Sequence, residues 1–66
     1  MAKIQINGRK IALKQNLSIS DLLKKYKLNK KKVAIELNGK ILNKNNYNRK
    51  LKNNDKIEIV HFIGGG

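Results

Sequence analysis

Two Asn-Gly pairs constrain the fold of this chain more than any other feature, because each lies beside a run of alternating apolar and polar residues. Asn and Gly both tolerate positive φ, which a two-residue turn between antiparallel strands requires. Ile4 and Ile6 precede the first pair, Asn7-Gly8, and Ile11 and Leu13 continue the period of two after it. We therefore predict a β-hairpin at the start of the chain.

Four apolar residues after this hairpin have the spacing of a helix. They stand at i, i+3, i+4 and i+7 and so form one stripe on a helical surface: Ile19, Leu22, Leu23 and Tyr26. Ser18 is placed to cap the helix, and Asp21 three residues later resembles the second half of a capping box. We predict a helix that begins after Ser18 and ends near Lys27.

The second half of the chain returns to the strand pattern. Residues 33–37 carry Val, Ile and Leu at every second position, and the second Asn-Gly pair, Asn38-Gly39, predicts the turn that follows. Residues 40–42 are predicted as a short strand or extended segment, and residues 56–62 as the last strand.

A polar, irregular segment, residues 43–54, separates the last two strands. Tyr47 and Leu51 are its prominent apolar residues, and we expect both to enter the core. Asn53-Asn54-Asp55 predicts a turn before the last strand, because Asn tolerates the left-handed backbone region. Asp55 and Asn54 are interpreted as turn formers and Tyr47 as a core residue.

The predicted order is strand, strand, helix, strand, short strand, strand. Each element has one apolar face, so the helix must pack across one side of the sheet. This order is that of the α+β ubiquitin-like β-grasp, a mixed four- to five-stranded sheet with one helix packed across it and its first and last strands parallel in the centre. We expect residues 1–63 to form this single domain and residues 64–66 a flexible C-terminal glycine tail.

The composition excludes several classes of protein. With 66 residues and no cysteine, the chain can form one small domain that is stabilised by packed aliphatic side chains, and no bound metal is expected. No apolar run is long enough to cross a membrane, and the alternation at the N-terminus is unlike a signal peptide. We expect a soluble, unprocessed protein of the cytoplasm, or of the plastid stroma if the gene is organellar.

The net charge of +12 raises the question of nucleic-acid binding. Fourteen of the 16 basic residues are Lys, whereas Arg is the residue preferred for bidentate phosphate and base contacts. The basic residues are also spread along the chain, and ten Asn accompany them, as an AT-rich coding sequence would produce. We interpret most of the charge as a solvated surface rather than a nucleic-acid site.

The C-terminus carries the strongest functional signal, since an apolar strand opens directly into glycines: Val60-His61-Phe62-Ile63-Gly64-Gly65-Gly66. Glycines form a thin peptide that can enter a channel too narrow for side chains, and the last group is a bare carboxylate. The alternative is an ordinary frayed terminus.

Taken together, these segments resemble the sulfur carrier of thiamine thiazole synthesis, the ThiS type of ubiquitin-like β-grasp proteins. The resemblance covers the whole chain, and the segments that carry it are Ile6-Asn7-Gly8, Leu37-Asn38-Gly39-Lys40-Ile41, Tyr47, residues 55–60 and the ending from His61 to Gly66. One departure is that Asn54 precedes Asp55, where members of this family usually have Gly. Asn can adopt the same backbone conformation at modest cost.

The resemblance implies a carrier rather than an enzyme, with no bound cofactor. A ubiquitin-activating-type adenylyltransferase (ThiF-like) would adenylate Gly66 at the expense of ATP. Sulfur from a donor such as a cysteine desulfurase would then convert the adenylate to a thiocarboxylate, and thiazole synthase (ThiG-like) would receive that sulfur. Gly64 and Gly65 would serve as the tail that enters the partners' active sites.

Partner contacts are expected at the end of the last strand. If Ile57 and Ile59 face the helix, the period of two exposes Val60 and Phe62 on the other face, beside the tail. Ile63 is expected to start the tail and contact the partner. The alternative is that a bulge turns Phe62 inward.

No catalytic group is predicted. The four acids, Asp21, Glu36, Asp55 and Glu58, form no obvious acid/base pair, and a lone strand histidine such as His61 is more often a packed or surface residue. Two other functions remain open from the sequence. One is a related β-grasp sulfur carrier for molybdopterin synthesis or tRNA thiolation, and the other is a basic RNA-binding β-grasp module.

Overall fold

The computed structural model describes residues 2–62, so the predictions for Ile63, Gly64, Gly65 and Gly66 lie outside the described residues. Five strands and one α-helix follow the predicted order, with two short 3-10 helices, Lys30–Lys32 and Lys44–Asn46, in the connections. The main elements are β1 (Ala2–Ile6), β2 (Arg9–Leu13), α1 (Ile19–Lys25), β3 (Val33–Leu37), β4 (Lys40–Ile41) and β5 (Lys56–His61).

The strands form one mixed sheet in the order β2-β1-β5-β3-β4. β1 and β5 pair in parallel at the centre of the sheet, and the other pairs are antiparallel. Both Asn-Gly pairs make the predicted hairpin turns, with positive φ at Asn7, Gly8, Asn38 and Gly39. The sequence-based prediction of a mixed sheet with parallel first and last strands is therefore confirmed.

The core lies between α1 and the face of the sheet that α1 covers. The buried apolar residues come from β1, β2, α1, β3, β5 and the irregular segment: Ile4, Ile6, Leu13, Ile19, Leu22, Leu23, Val33, Ile35, Leu37, Tyr47, Leu51 and Ile57. Burial of Tyr47 and Leu51 confirms that both enter the core. The backbone around them also holds the start of α1, because Ser20 N–H donates to the carbonyl of Tyr47 and Leu51 N–H to that of Leu17.

The helix begins as predicted and ends earlier. Ser18 Oγ accepts from Asp21 N–H and the Asp21 carboxylate accepts from Ser18 N–H, both at 3.0 Å, which completes the capping box. The last helical residue is Lys25, and Lys27 lies outside the helix with φ of +58°. Leu28 N–H donates to Leu23 O and Lys27 N–H to Lys24 O, the two bonds of a Schellman motif.

The early end of α1 corrects the expectation for Tyr26. This residue is predicted to belong to the apolar stripe of the helix, but it caps the helix and remains 43% exposed. The spacing i+7 placed Tyr26 on the correct face of an ideal helix, yet the chain leaves that helix one residue before it. The last strand is also one residue shorter than predicted, since it ends at His61 and not at Phe62.

Asp55 has a larger role than a turn former. It is buried, and its Oδ2 accepts from Lys52 N–H at 2.8 Å and from the Arg49 guanidinium at 3.1 Å. Its Oδ1 accepts from Asn38 Nδ2 at 3.1 Å, so one carboxylate joins two turns that are far apart in sequence. Asn54 has φ of +71°, which confirms that Asn adopts the left-handed conformation in this turn.

Candidate functional site

The candidate site is the end of β5, because this strand leads directly into the C-terminal glycines. The two Asn-Gly turns hold β5 at two successive places along its length. The hairpin prediction located both turns, but it did not foresee that their Asn side chains would bind another strand.

The start of β5 is held by Asn38. Asn38 N–H donates to Lys56 O at 2.7 Å, and Asn38 Oδ1 accepts from Lys56 N–H at 2.8 Å. The same side chain binds buried Asp55, which in turn binds Arg49. On the other side of the strand, Gln5 N–H donates to Asp55 O at 2.9 Å. The beginning of β5 is therefore fixed from both neighbouring strands and by the ion pair between buried Asp55 and partly exposed Arg49.

The end of β5 is held more lightly. Its pairing with β1 stops at Ile57, and beyond that point the Asn7 side chain replaces the missing strand. Asn7 Oδ1 accepts from Ile59 N–H at 2.8 Å, while Asn7 Nδ2 lies 3.5 Å from Ile59 O. Pairing with β3 continues to His61, and Phe62 N–H donates to Lys32 O at 2.9 Å.

Val60 and Phe62 are both exposed, by 57% and 53% respectively. They lie on the sheet face opposite α1, which we call the open face, because Ile57 and Ile59 alternate with them and pack toward the core. The expected exposure of both residues is confirmed, and the alternative of an inward-turned Phe62 is wrong. Their contact with a partner remains a prediction.

His61 is exposed on the α1 side of the sheet. It lines a shallow groove of about 440 Å³ together with Tyr26 and Leu28 from the end of α1, and Ile59 from β5. Nothing in this groove pairs His61 with an acid. The structure thus gives His61 no partner for catalysis among residues 2–62, in agreement with its interpretation as a surface residue.

Two acids were not singled out by sequence reasoning as part of this site. Glu36 on β3 and Glu58 on β5 are directly opposite each other in the ladder, and Ile41 on β4 is opposite Glu36. Directly opposed residues project from the same side of a sheet, so all three share the open face with Val60. The period of two indicates the face of each residue, but only the register brings the two carboxylates together.

The other two acids serve the fold. Burial alone would raise the pKa of Asp55, but hydrogen bonds from Lys52, Asn38 and Arg49, with the charge of Arg49, outweigh it and lower that pKa. The hydrogen bond from Ser18 N–H, assisted by the Ser18 hydroxyl, lowers the pKa of Asp21. Within residues 2–62 no three potential ligand side chains are grouped to hold a metal ion, and no helix there is long and apolar enough to cross a membrane.

The sheet order, the single helix across one face and a last strand that leads to the C-terminus define a ubiquitin-like β-grasp protein. A crystal structure of the thiamine biosynthesis protein ThiS from Geobacter metallireducens shares this fold, with a TM-score of 0.79 and 28% identity over 97% of this chain and 99% of that one. The chain belongs to the ThiS family, whose model matches residues 3–66.

Two relatives indicate what the family members are. The sulfur carrier protein ThiS of Bacillus subtilis is 43% identical over 65 residues, which is 96% of this chain and 98% of that protein. A thiazole synthase of Paramagnetospirillum magneticum is 38% identical over 65 residues, which is 97% of this chain but 20% of that protein. One fifth of this thiazole synthase is therefore a segment similar to nearly all of the present chain.

Proposed function

We propose that this chain is a sulfur carrier of thiamine biosynthesis whose Gly66 carboxylate is adenylated and then converted to a thiocarboxylate. The observation that carries the proposal is the match to the ThiS family, which runs through the terminal glycines to Gly66. The 43% identity to a named sulfur carrier over nearly the full length of both chains supports it further. The chain contributes an acyl group and no catalytic side chain, so it is a co-substrate rather than an enzyme.

The proposed chemistry starts from a poor acyl donor. An α-carboxylic acid has a pKa of about 3.5, so Gly66 carries a carboxylate at neutral pH. Attack of this carboxylate on ATP, in an activating enzyme of the ubiquitin-activating type, releases pyrophosphate and forms an acyl adenylate. The terminal sulfur of a cysteine persulfide then attacks the acyl carbon and expels AMP. A second thiol cleaves the resulting acyl disulfide and frees the thiocarboxylate.

Thiazole synthase is the proposed acceptor of the sulfur. The relative in which a segment similar to this chain forms one fifth of a thiazole synthase supports the pairing, since a fused segment and its enzyme are held together permanently. Gly64 and Gly65 are proposed to pass through a narrow entrance, with Ile63, Val60 and Phe62 in contact outside it. We expect this cycle in the cytoplasm, or in the plastid stroma if the gene is organellar.

Extending the chain by one alanine after Gly66 tests the proposal. The added residue moves the carboxylate away from the glycine. Incubation with the activating enzyme, ATP and a sulfur source should therefore leave the mass of the extended chain unchanged. The unextended chain should gain the mass difference between sulfur and oxygen in intact-protein mass spectrometry. The matched control carries the extra alanine after Met1. Because β1 and β5 run parallel, this insertion lies at the opposite end of the sheet from the tail.

The control should gain sulfur as the unextended chain does. Equal mass gain in the chain extended after Gly66 would contradict the proposed role of the Gly66 carboxylate. Absence of a gain in the unextended chain, with both partners active on their own substrates, would contradict the carrier function itself.

A further inference from the structure

Two of the four acids have no side-chain partner among residues 2–62. Asp21 completes the capping box of α1, and Asp55 binds Arg49 and the two turns. Glu36 and Glu58, by contrast, form no ion pair and accept no side-chain hydrogen bond among residues 2–62. In a chain with 16 basic residues and a net charge of +12, such isolation of two carboxylates requires an explanation.

The register makes their position costly. Glu36 and Glu58 are a directly opposed pair on β3 and β5, where side chains start about 5 Å apart. Like charges at that distance repel each other and destabilise the pair of strands. The two acids thus weaken the folded state of a small domain, and burial of their carboxylates against a partner cation would relieve the repulsion.

Apolar residues border the acidic pair on the side of β4 and toward the end of β5, while exposed Lys56 lies two residues before Glu58 on the same face. Ile41, opposite Glu36, is 74% exposed, and Val60 follows Glu58 on the same face of β5. Ala34, opposite Val60, is a small residue on the same face, and exposed Phe62 continues the apolar surface to the last described residue. We call the surface formed by Ile41, Glu36, Glu58, Val60 and Phe62 the acidic-apolar patch. It combines a local negative charge with an apolar border on an otherwise basic molecule.

We propose that the acidic-apolar patch binds thiazole synthase by receiving one basic side chain of that enzyme between Glu36 and Glu58. This proposal rests on the proposed function, and it adds the chemistry by which the carrier recognises its acceptor. An arginine fits best, because its planar guanidinium can bind both carboxylates while its stem packs against Ile41 and Val60. Phe62 is only four residues before Gly66 in the sequence, so an enzyme docked on the patch is within reach of the carboxylate.

The acidic-apolar patch attracts basic groups, whereas the positively charged chain as a whole attracts acidic ones. The net charge of +12 favours any acidic surface at long range, whereas the patch accepts a basic group only at short range. Removal of the two carboxylates should therefore act mainly on the lifetime of the complex, since pairs in close contact govern dissociation.

The test is a double variant, Glu36→Gln with Glu58→Gln, measured by surface binding kinetics against purified thiazole synthase of the same organism. We expect the dissociation constant to rise at least tenfold, mainly through faster dissociation. In urea titration the free variant should be as stable as the unchanged chain or more stable, because the repulsion is gone. Opposite signs in the two measurements separate lost recognition from lost folding.

The matched control is Asn45→Lys with Asn46→Lys, which raises the net charge by the same amount as the double variant. Both residues are exposed in the 3-10 helix Lys44–Asn46, which precedes Tyr47 near the start of α1. This control should keep the dissociation constant within about twofold. An equal rise in control and test variants would overturn the proposal, because overall charge would explain both.

The remaining outcomes are also decisive. Unchanged affinity in the Glu36→Gln, Glu58→Gln variant would overturn the patch while leaving the sulfur-carrier function intact. An effect on the activating enzyme and none on thiazole synthase would overturn the assignment of the partner. Failure of the proposed function is separate, because the unextended chain would then gain no sulfur at Gly66 in the mass measurement.

Discussion

The two ends of β5 are held by different interactions. At its start, Ile57 is fully buried, Asn38 and β1 bind the backbone, and the Asp55–Arg49 ion pair stands beside it. At its end, β1 has stopped, one Asn7 side chain substitutes for it, and Val60 and Phe62 are exposed. The same six-residue strand therefore passes from the centre of the core to the surface.

This difference predicts that stability and partner binding depend on different ends of one strand. Under the proposed function the domain must stay folded while two enzymes handle its tail, so the residues that hold the fold should not be those that contact partners. Substitutions near the start of β5 are expected to change the free energy of unfolding, and those near its end to change partner binding. The following predictions test that separation.

The largest effect is expected at Ile57. Ile57→Ala removes a fully buried side chain from the centre of the sheet and should lower the free energy of unfolding by about 3 kcal/mol. Val60→Ala, three residues later on the open face, should change it by less than about 0.5 kcal/mol. Urea titration followed by circular dichroism gives both values. If Ile57→Ala does not fold, Ile57→Val should still cost about 1 kcal/mol. Equal losses at the two positions would contradict the contrast.

Asp55 should give the next largest effect. Asp55→Asn places an amide N–H₂ group among the donors of Lys52, Asn38 and Arg49 and should cost about 2–3 kcal/mol. The loss should depend on pH. Because the pKa of Asp55 is lowered in the folded state, its contribution is complete above the unfolded pKa of about 3.9. It disappears as the pH falls through the lower, folded pKa.

Urea midpoints from pH 7 down to pH 2 measure this dependence. The difference in urea midpoint between the unchanged chain and the Asp55→Asn variant should be constant near neutral pH and should shrink at the acidic end of the range. Asp21, whose pKa is also lowered, is present in both proteins, so the variant should keep part of its acid sensitivity. A difference that stays constant to pH 2 would show that the charge of Asp55 is not what stabilises these turns.

The sequence predicted the elements well and their side-chain connections poorly. Asn7-Gly8 and Asn38-Gly39 were recognisable because a turn is set by local φ preferences. Their bonds to Ile59 and Lys56 depend on which strand lies beside each turn, and that is decided by the whole sheet. The position of Glu36 directly opposite Glu58 likewise depends on the register between β3 and β5, which local sequence does not reveal.

The predicted helix shows the same limit in another form. Periodicity placed Tyr26 in the apolar stripe of the helix, because it continues the spacing of Ile19, Leu22 and Leu23. The Schellman motif around Lys27 ends the helix first, and no glycine marks that position in the sequence. For the site, alternation was sufficient to predict that Val60 and Phe62 are exposed. Glu36 and Ile41 lie on β3 and β4, so the alternation within β5 could not predict that they are neighbours of Val60.

The Asn38 and Asn7 side chains, which bind the start and the end of β5, should contribute different amounts to the free energy of unfolding. Asn38→Gly and Asn7→Gly both keep a residue that accepts positive φ, so each removes the side-chain hydrogen bonds and preserves the turn. Asn38→Gly should cost about 1.5–2 kcal/mol, since it also leaves the buried Asp55 short of a donor. Asn7→Gly should cost about 0.5–1 kcal/mol. Urea titration measures both, and a larger loss at Asn7 would reverse the comparison between the two ends of β5.

Amide hydrogen exchange can show which part of β5 each of these two Asn side chains protects. Asn7→Gly should speed amide exchange at Ile59, whose N–H loses its acceptor, and leave Lys56 protected. Asn38→Gly should have the converse effect, because Lys56 N–H is the group that Asn38 Oδ1 accepts from. Uniform loss of protection in both variants would mean that β5 opens as a single unit.

A small gain in stability is expected beside the weaker end of β5. Lys27 holds φ of +58° at the C-terminus of α1, and Leu28 after it lines the same groove as Ile59 and His61. A non-glycine residue in this region is strained by about 1–2 kcal/mol, which the extra chain entropy of Gly partly offsets. Lys27→Gly should therefore raise the free energy of unfolding by about 0.5–1 kcal/mol.

Lys24→Gly is the matched control, because it removes the same side chain and charge from the last turn of α1. There the backbone is helical and glycine is unfavourable, so this variant should lose about 1 kcal/mol. The same Lys→Gly substitution, made at two positions three residues apart, should therefore change the free energy of unfolding in opposite directions. If both variants lose stability, the positive φ of Lys27 is not a source of strain, and the end of α1 needs its lysine for another reason.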